Sequence, residues 1–211
     1  NFVTIDIVIS ERHGFMVKVT EFITFESGSP QFRIKETVDK AAPLYFFYGQ
    51  NELENDLSQI EMNQSETKSI QTFDPVLTVA EGDIVFSLIS GKAAIVGKNH
   101  AGFLITQNYL RLVVDTPVIP SYIVYLLNED LSIKHQFQLS LQGSSTLKYT
   151  VKQVKELRLP ALPTIERQSL IGKLYLKQLH LEALQKNLIE LKTKRLLFQL
   201  KEASSYERSA I

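Results

Sequence analysis

The chain has 211 residues, 44% of them hydrophobic, enough for one sizeable core with an appendage or for two small domains. With no cysteine it has neither a disulfide framework nor a thiolate metal site, and four scattered histidines offer little else to zinc or iron. No apolar run approaches the roughly 20 residues that cross a bilayer, and the first residues do not read as a signal peptide, so a soluble, cytoplasmic protein is expected.

The formal charge of zero hides an asymmetry. Residues 1–85 carry 14 Asp and Glu against 6 Lys and Arg, net −8, whereas residues 86–211 carry 17 Lys and Arg against 9 Asp and Glu, net +8. Either the second half faces a polyanion such as nucleic acid, or the two halves neutralise one another; a solvated basic helix is the plainer alternative.

In chain order, Val3, Ile5, Ile7 and Ile9 alternate with polar residues, turn chemistry follows at 10–14, and Phe15, Val17 and Val19 alternate again, which predicts a hairpin. Phe22, Ile23 and Phe25 continue as a strand before the turn cluster at 26–30. The aromatic run Leu44 to Tyr48 is read as a buried strand rather than a base-stacking platform, because no Lys or Arg interrupts it. The polar stretch 50–74 begins with a short amphipathic helix through Leu53, Leu57 and Ile60. Asn63, Gln64, Ser65, Lys68 and Gln71 then have base-edge chemistry, or line an acidic loop with no role.

Ile84 to Phe86 and Ala93 to Val96 are two apolar runs bounded by turn residues, hence two strands. Ser87, Ser90, Gly91 and Lys92 sit where such a pair would turn, and Lys98, Asn99 and His100 follow at the next turn; these short donors suit phosphates. Gly102 to Arg111 is predicted as a third strand. Its amides Gln107 and Asn108 lie in an apolar frame and so need fixed partners. A helix is predicted from Ser121 as N-cap, behind Pro117 and Pro120. Gln142, Gly143, Ser144, Ser145 and Lys148 form either a phosphate-facing turn or an ordinary exposed one.

The last third differs in kind. Pro160 and Pro163 stop a strand, Thr164 caps a helix, and neither Gly nor Pro occurs from Lys173 onward. Leu170, Leu174, Lys177, Leu181, Leu184, Leu188, Leu191, Arg195 and Phe198 recur at alternating steps of four and three, a heptad seam with two basic breaks. A helix over 164–202 would be about 57 Å long. Pairing with the same helix of a second chain buries that seam; packing of its first half on its own domain is the alternative.

One succession of residues is more specific than any single motif. Gly82-Asp83-Ile84, Phe86-Ser87, Gly91, Gly97, Gly102, Ile105-Thr106-Gln107-Asn108 and Arg111 follow one another as they do in the DNA specificity subunits of type I restriction-modification systems, which this chain resembles. The resemblance runs from about Lys18 to Lys173 and takes in VTEFITFESGSPQFR, YIVYLLN and the stretch from Gln142 through LPALPTIERQ. That last run departs from the family's PLPPLEEQ by one proline and one acid.

The resemblance implies an α+β protein, with a β-rich target-recognition domain over 1–163 and a spacer and dimerisation helix over 164–211. It implies double-stranded DNA as ligand, with Lys68, Ser87, Ser90, Gly91, Lys92, Lys98, Asn99, Gln107, Asn108, Gln142, Ser144, Ser145 and Lys148 as candidate contacts. Such subunits usually hold two recognition units and two spacers, so one of each implies a half-subunit that works as a homodimer on a bipartite site. Leu170, Leu174, Leu181, Leu184, Leu188, Leu191 and Phe198 would form the dimer interface. Modification and cleavage would belong to partner subunits, an adenine methyltransferase and a translocase-nuclease. S-adenosylmethionine and ATP would then be bound there, with no cofactor or metal on this chain.

The residues themselves also argue against catalysis. No glycine-rich cofactor loop joins a strand to a helix, no carboxylate pair has nuclease-like context, and the histidines have no nucleophile beside them. Two rival assignments are the recognition tail of a fused methyltransferase-nuclease and a helical scaffold that does not bind DNA.

Overall fold

The computed structural model describes residues 16–60, 67–115, 117–141 and 148–206, excluding the side chains of 205 and 206. Its centre is a four-stranded antiparallel sheet in the order β2 (Ile23–Ser27), β7 (Tyr109–Val114), β5 (Ile84–Ser87), β6 (Ala93–Ile95). Central β5 is buried along its whole length, so its sequence reads as a continuous apolar run rather than an alternation. Ile84, Phe86, Leu110 and Leu112 face a core built with three helices, α2 (Pro120–Glu129), α3 (Leu131–Leu141) and α4 (Val151–Lys155). Val85, Ala94 and Tyr109 face a smaller core with Tyr48, Ile105 and Leu53 of α1 (Gln50–Ser58). The chain is thus α+β, with helices on both faces of one sheet.

Two short ribbons flank the sheet. β1 (Val17–Lys18) pairs with β8 (Arg158–Leu159), and β3 (Leu44–Phe46) pairs with β4 (Ser69–Gln71). Residues 1–15 lie outside the described residues, so the N-terminal hairpin is described only at Val17–Lys18. There the partner is β8, which sets Val17 and Lys18 beside the segment entering the last helix.

The expected third strand is shorter than its sequence suggests. Residues 102–108 are not part of the sheet: Leu104 exchanges backbone bonds with Phe46 and Tyr48, and Ile105 donates to Leu77. Gly102 turns the chain at φ +86, and the strand proper begins at Tyr109. The aromatic run is a strand, but not a buried one. Leu44 is 53% and Phe46 40% exposed, and only Tyr48 is enclosed.

The N-cap of α2 is Ile119, two residues before the predicted Ser121, and Pro120 sits in the first turn, where a fixed φ and a missing N–H cost nothing. Helices α3 and α4 were not anticipated. The first is held by the Asp130 carboxylate accepting from the N–H groups of Ser132 and Ile133, the second by a Thr150–Gln153 capping box.

Helix α5 (Ile165–Tyr206) has 42 residues and is about 63 Å long at 1.5 Å per residue. It is not apolar enough to cross a membrane, nor is any other described helix. Gln168, Gly172, Tyr175, Leu179 and Ala183 turn one face toward the domain. Gly172 meets Ser121 of α2 so closely that an added Cβ would lie 2.2 Å from its Oγ.

Candidate nucleic-acid interface

Most of the candidate contacts gather at one end of the sheet, where β5 ends and β7 begins. Ser87, expected as a surface donor, is instead fully buried: its hydroxyl accepts from the N–H groups of Ile89 and Ser90, both at 3.2 Å, and so locks the turn. Gly91 closes that turn at φ +67 against the ring of Tyr149, which leaves no room for a Cβ. Ser90 at the tip is exposed.

Gln107 and Asn108 turn at the same end, and both have partners. The Gln107 Oε1 accepts from the N–H of Gln31 at 2.8 Å, and the Asn108 Oδ1 accepts from the Lys148 ammonium. Gln142, Ser144 and Ser145 lie outside the described residues, as do Asn63, Gln64 and Ser65. Lys92 stands beside Glu129, its Nζ 3.4 Å from Oε1. Burial pushes the Glu129 carboxyl up, but the hydrogen bond from Lys134 and the charges of Lys92 and Lys134 outweigh it and hold the group below its usual range.

Lys98 and Asn99 lie elsewhere, on a short 3-10 turn at the opposite end of β6 from Lys92. Lys68 is exposed at the start of β4, its carbonyl accepting from Phe47. Neither Lys68 nor Lys98 forms an ion pair with a described residue. The structure therefore separates these cations from the cluster at Asn108 and Lys148.

The seam residues of α5 are all exposed, from 47% at Leu184 to 63% at Leu191. At about 100° per residue they lie on the side roughly opposite the face that meets the domain. The first half of the helix docks on its own domain, and it does so without using the seam leucines. Residues 188–204 are exposed throughout.

No protein-family model and no curated protein matches the chain. Among solved structures, the HsdS subunit from Thermoanaerobacter tengcongensis superposes with a TM-score of 0.52 at 16% identity, over 80% of this chain and 37% of that one. A chain from a structure on complex assembly and conformational transition of the type I R-M system superposes with a TM-score of 0.56 at 16% identity, over 87% and 45%. The fold is that of the HsdS subunit. This chain spans less than half the length of either of those two.

Within this HsdS fold, residues given no structural role in the sequence hold its parts together. The Asn128 side chain closes the free edge of β6, accepting from the Ala93 N–H at 2.8 Å and donating to the Ala93 carbonyl at 2.9 Å. Arg111 donates to Glu26 at 2.7 Å and to the Thr78 carbonyl at 3.1 Å, so it is tied between two strands and a loop.

Asp56 of α1 anchors the turn that carries Lys98. It accepts from the Tyr48 hydroxyl at 2.8 Å, from the Gly97 N–H at 3.0 Å and from His100 Nδ1 at 2.7 Å. The hydrogen bond to Asp56 raises the His100 pKa, opposed by burial and aided by the charges of Asp56 and Glu52. Burial, with Asp56 beside it, pushes the Tyr48 hydroxyl well above its ordinary value. A buried acceptor for three donors was signalled only by a lone Asp on the apolar side of α1. Among the described residues no three His, Asp or Glu side chains converge on a metal site.

Proposed function

We propose that this chain is a non-catalytic, DNA-reading half of a type I restriction-modification specificity subunit, acting as a homodimer on a bipartite double-stranded site. The observation that carries the proposal is the pairing of an HsdS fold with a leucine seam left bare on the side of α5 away from the reader. A seam of that kind is buried by a second helix. Two α5 helices would hold the readers apart by an amount of the order of α5's length, under two turns of DNA at roughly 34–36 Å per turn.

In this proposal the loops around Ser90, Asn108 and Lys148 present amides and hydroxyls to base edges, and Lys92, Lys98 and Lys148 neutralise phosphates. The domain limits 1–163 and 164–211 become the reader and the spacer. Methylation and cleavage belong to an adenine methyltransferase and a translocase-nuclease, which carry S-adenosylmethionine and ATP; this chain holds neither. The second structural neighbour comes from a structure of the type I R-M system, which supports such an assembly.

Gel shift on a random duplex library tests the assignment. Enrichment of a repeated half-site supports it. Failure to retain any duplex, with the dimer intact, leaves a helical scaffold.

A further inference from the structure

Gln168 is a polar side chain that is only 3% exposed, in the first turn of a helix whose docked half also packs Ile171, Tyr175 and Leu176 on the core. Its amide oxygen accepts from the N–H of Ile119 at 3.0 Å, and its amide nitrogen donates to the carbonyl of Pro163 at 2.9 Å. One side chain thus ties the residue that begins α2 to the segment that leads into α5. Ile119 is the N-cap of α2, so Gln168 supplies from another helix the acceptor for the N-cap N–H that the N3 side chain of a capping box would give locally.

Close packing holds α5 at Gly172, one turn on, but not at Gln168 itself. Beside Gln168 lies an apolar cleft of about 320 Å³ lined by Val17, Phe22, Val118, Leu162 and Ile165. Ile171, Tyr175 and Leu176 pack on the core, and polar and close contacts along the same face fix the direction of α5. After Gln168 come Gly172 against Ser121, Tyr175 donating to Glu129 at 3.2 Å, and His180 Nδ1 at 3.0 Å from the Ser58 carbonyl.

Beyond residue 187 the helix is exposed on all sides, so any play at its foot is magnified at its far end. From His180, the last of those contacts, to Ser204 the lever is about 36 Å, and a tilt of about 10° moves its end by about 6 Å. That is nearly two base pairs at roughly 3.4 Å each.

We propose that Gln168, with Gly172 one turn on, is the joint that fixes the direction of α5 against the reader and thereby sets which half-site separation the paired chains accept. Gln168 is a positioning residue, and the inference rests on the DNA-reading assignment above. Its mechanical part can be tested apart from DNA, because the chain has no cysteine of its own and takes spin labels cleanly.

The experiment places labels at Val113→Cys in the sheet and Lys201→Cys near the end of α5, in full-length chains diluted with unlabelled copies. The wild type gives one narrow distance distribution. Gln168→Leu at least doubles its width, and Gln168→Glu, which keeps the acceptor for Ile119, restores part of the narrowing. Gly172→Ala shifts the mean distance because its methyl forces α5 off α2, and it carries the test if Gln168→Leu fails to fold. An unchanged width in Gln168→Leu, or an unshifted mean in Gly172→Ala, overturns the joint. Selection from random duplexes supplies the second readout. The wild type recovers a repeated half-site at one separation, and Gln168→Leu recovers the same half-site spread over three or more separations; an equally sharp spacing contradicts the proposal. If the wild type recovers no half-site at all, the DNA-reading assignment fails while the label distances still judge the joint.

Discussion

The sheet domain and the outer half of α5 meet opposite conditions. In the sheet domain Ile84, Val85, Phe86 and Leu110 are sealed on both faces, and no buried side-chain nitrogen or oxygen among the described residues lacks a partner. In the outer half of α5, Leu188, Leu191, Leu197 and Phe198 are each more than half exposed. The first region buries its apolar side chains within the described residues. The second leaves an apolar face open along a helix of basic charge.

Substitutions that strike one region should leave the other intact. The largest effect is expected from Leu181→Asp with Leu188→Asp. Four buried leucines across the pair, at roughly 1.5–3 kcal/mol each, are replaced by charges, so pairing is abolished in sedimentation while the sheet domain melts as before. Persistence of the dimer would place the contact elsewhere. Asn128→Ala does the reverse. It strands the N–H and carbonyl of Ala93 at a buried edge and lowers the stability of the sheet domain by about 1–3 kcal/mol in denaturant melts, with no change in pairing.

A smaller effect concerns the turn that carries Lys98. The folded pKa of His100 is raised above its ordinary 6.5, so its contribution to stability is fully present below about pH 6.5 and is lost as pH rises through the folded value. His100→Gln should flatten that decline in melts taken across the range; an identical pH profile would remove the Asp56–His100 pair from the stability of this turn. The smallest is Lys98→Ala, which should weaken binding on all duplexes alike and lower the salt slope by about one. An unchanged slope takes Lys98 off the DNA.

The same contrast governs what could be read from residue order. Val85 and Phe86 announce a strand because burial on both faces demands an unbroken apolar run, and the seam from Leu170 to Phe198 announces itself by strict three-four spacing. Residues 102–108 mislead because Leu104 and Ile105 are as apolar as strand residues, yet spend their backbone bonds on Phe46, Tyr48 and Leu77. Phe46 sits in an aromatic run but stacks on Phe103 at the surface, 5.5 Å between centroids. The docked face of α5 left only a weak pattern, since Ile171, Tyr175 and Leu176 pack on the core among Gln168, Gly172 and His180, which bind by shape and hydrogen bonds. Ser87 looked like a surface donor because a turn that exposes a serine and one that buries it have the same local sequence.

The solution mass of the intact chain tests the central claim most directly. Light scattering over a dilution series should give twice the 24.0 kDa of one chain. A mass of one chain at every concentration, with α5 still helical, would contradict it.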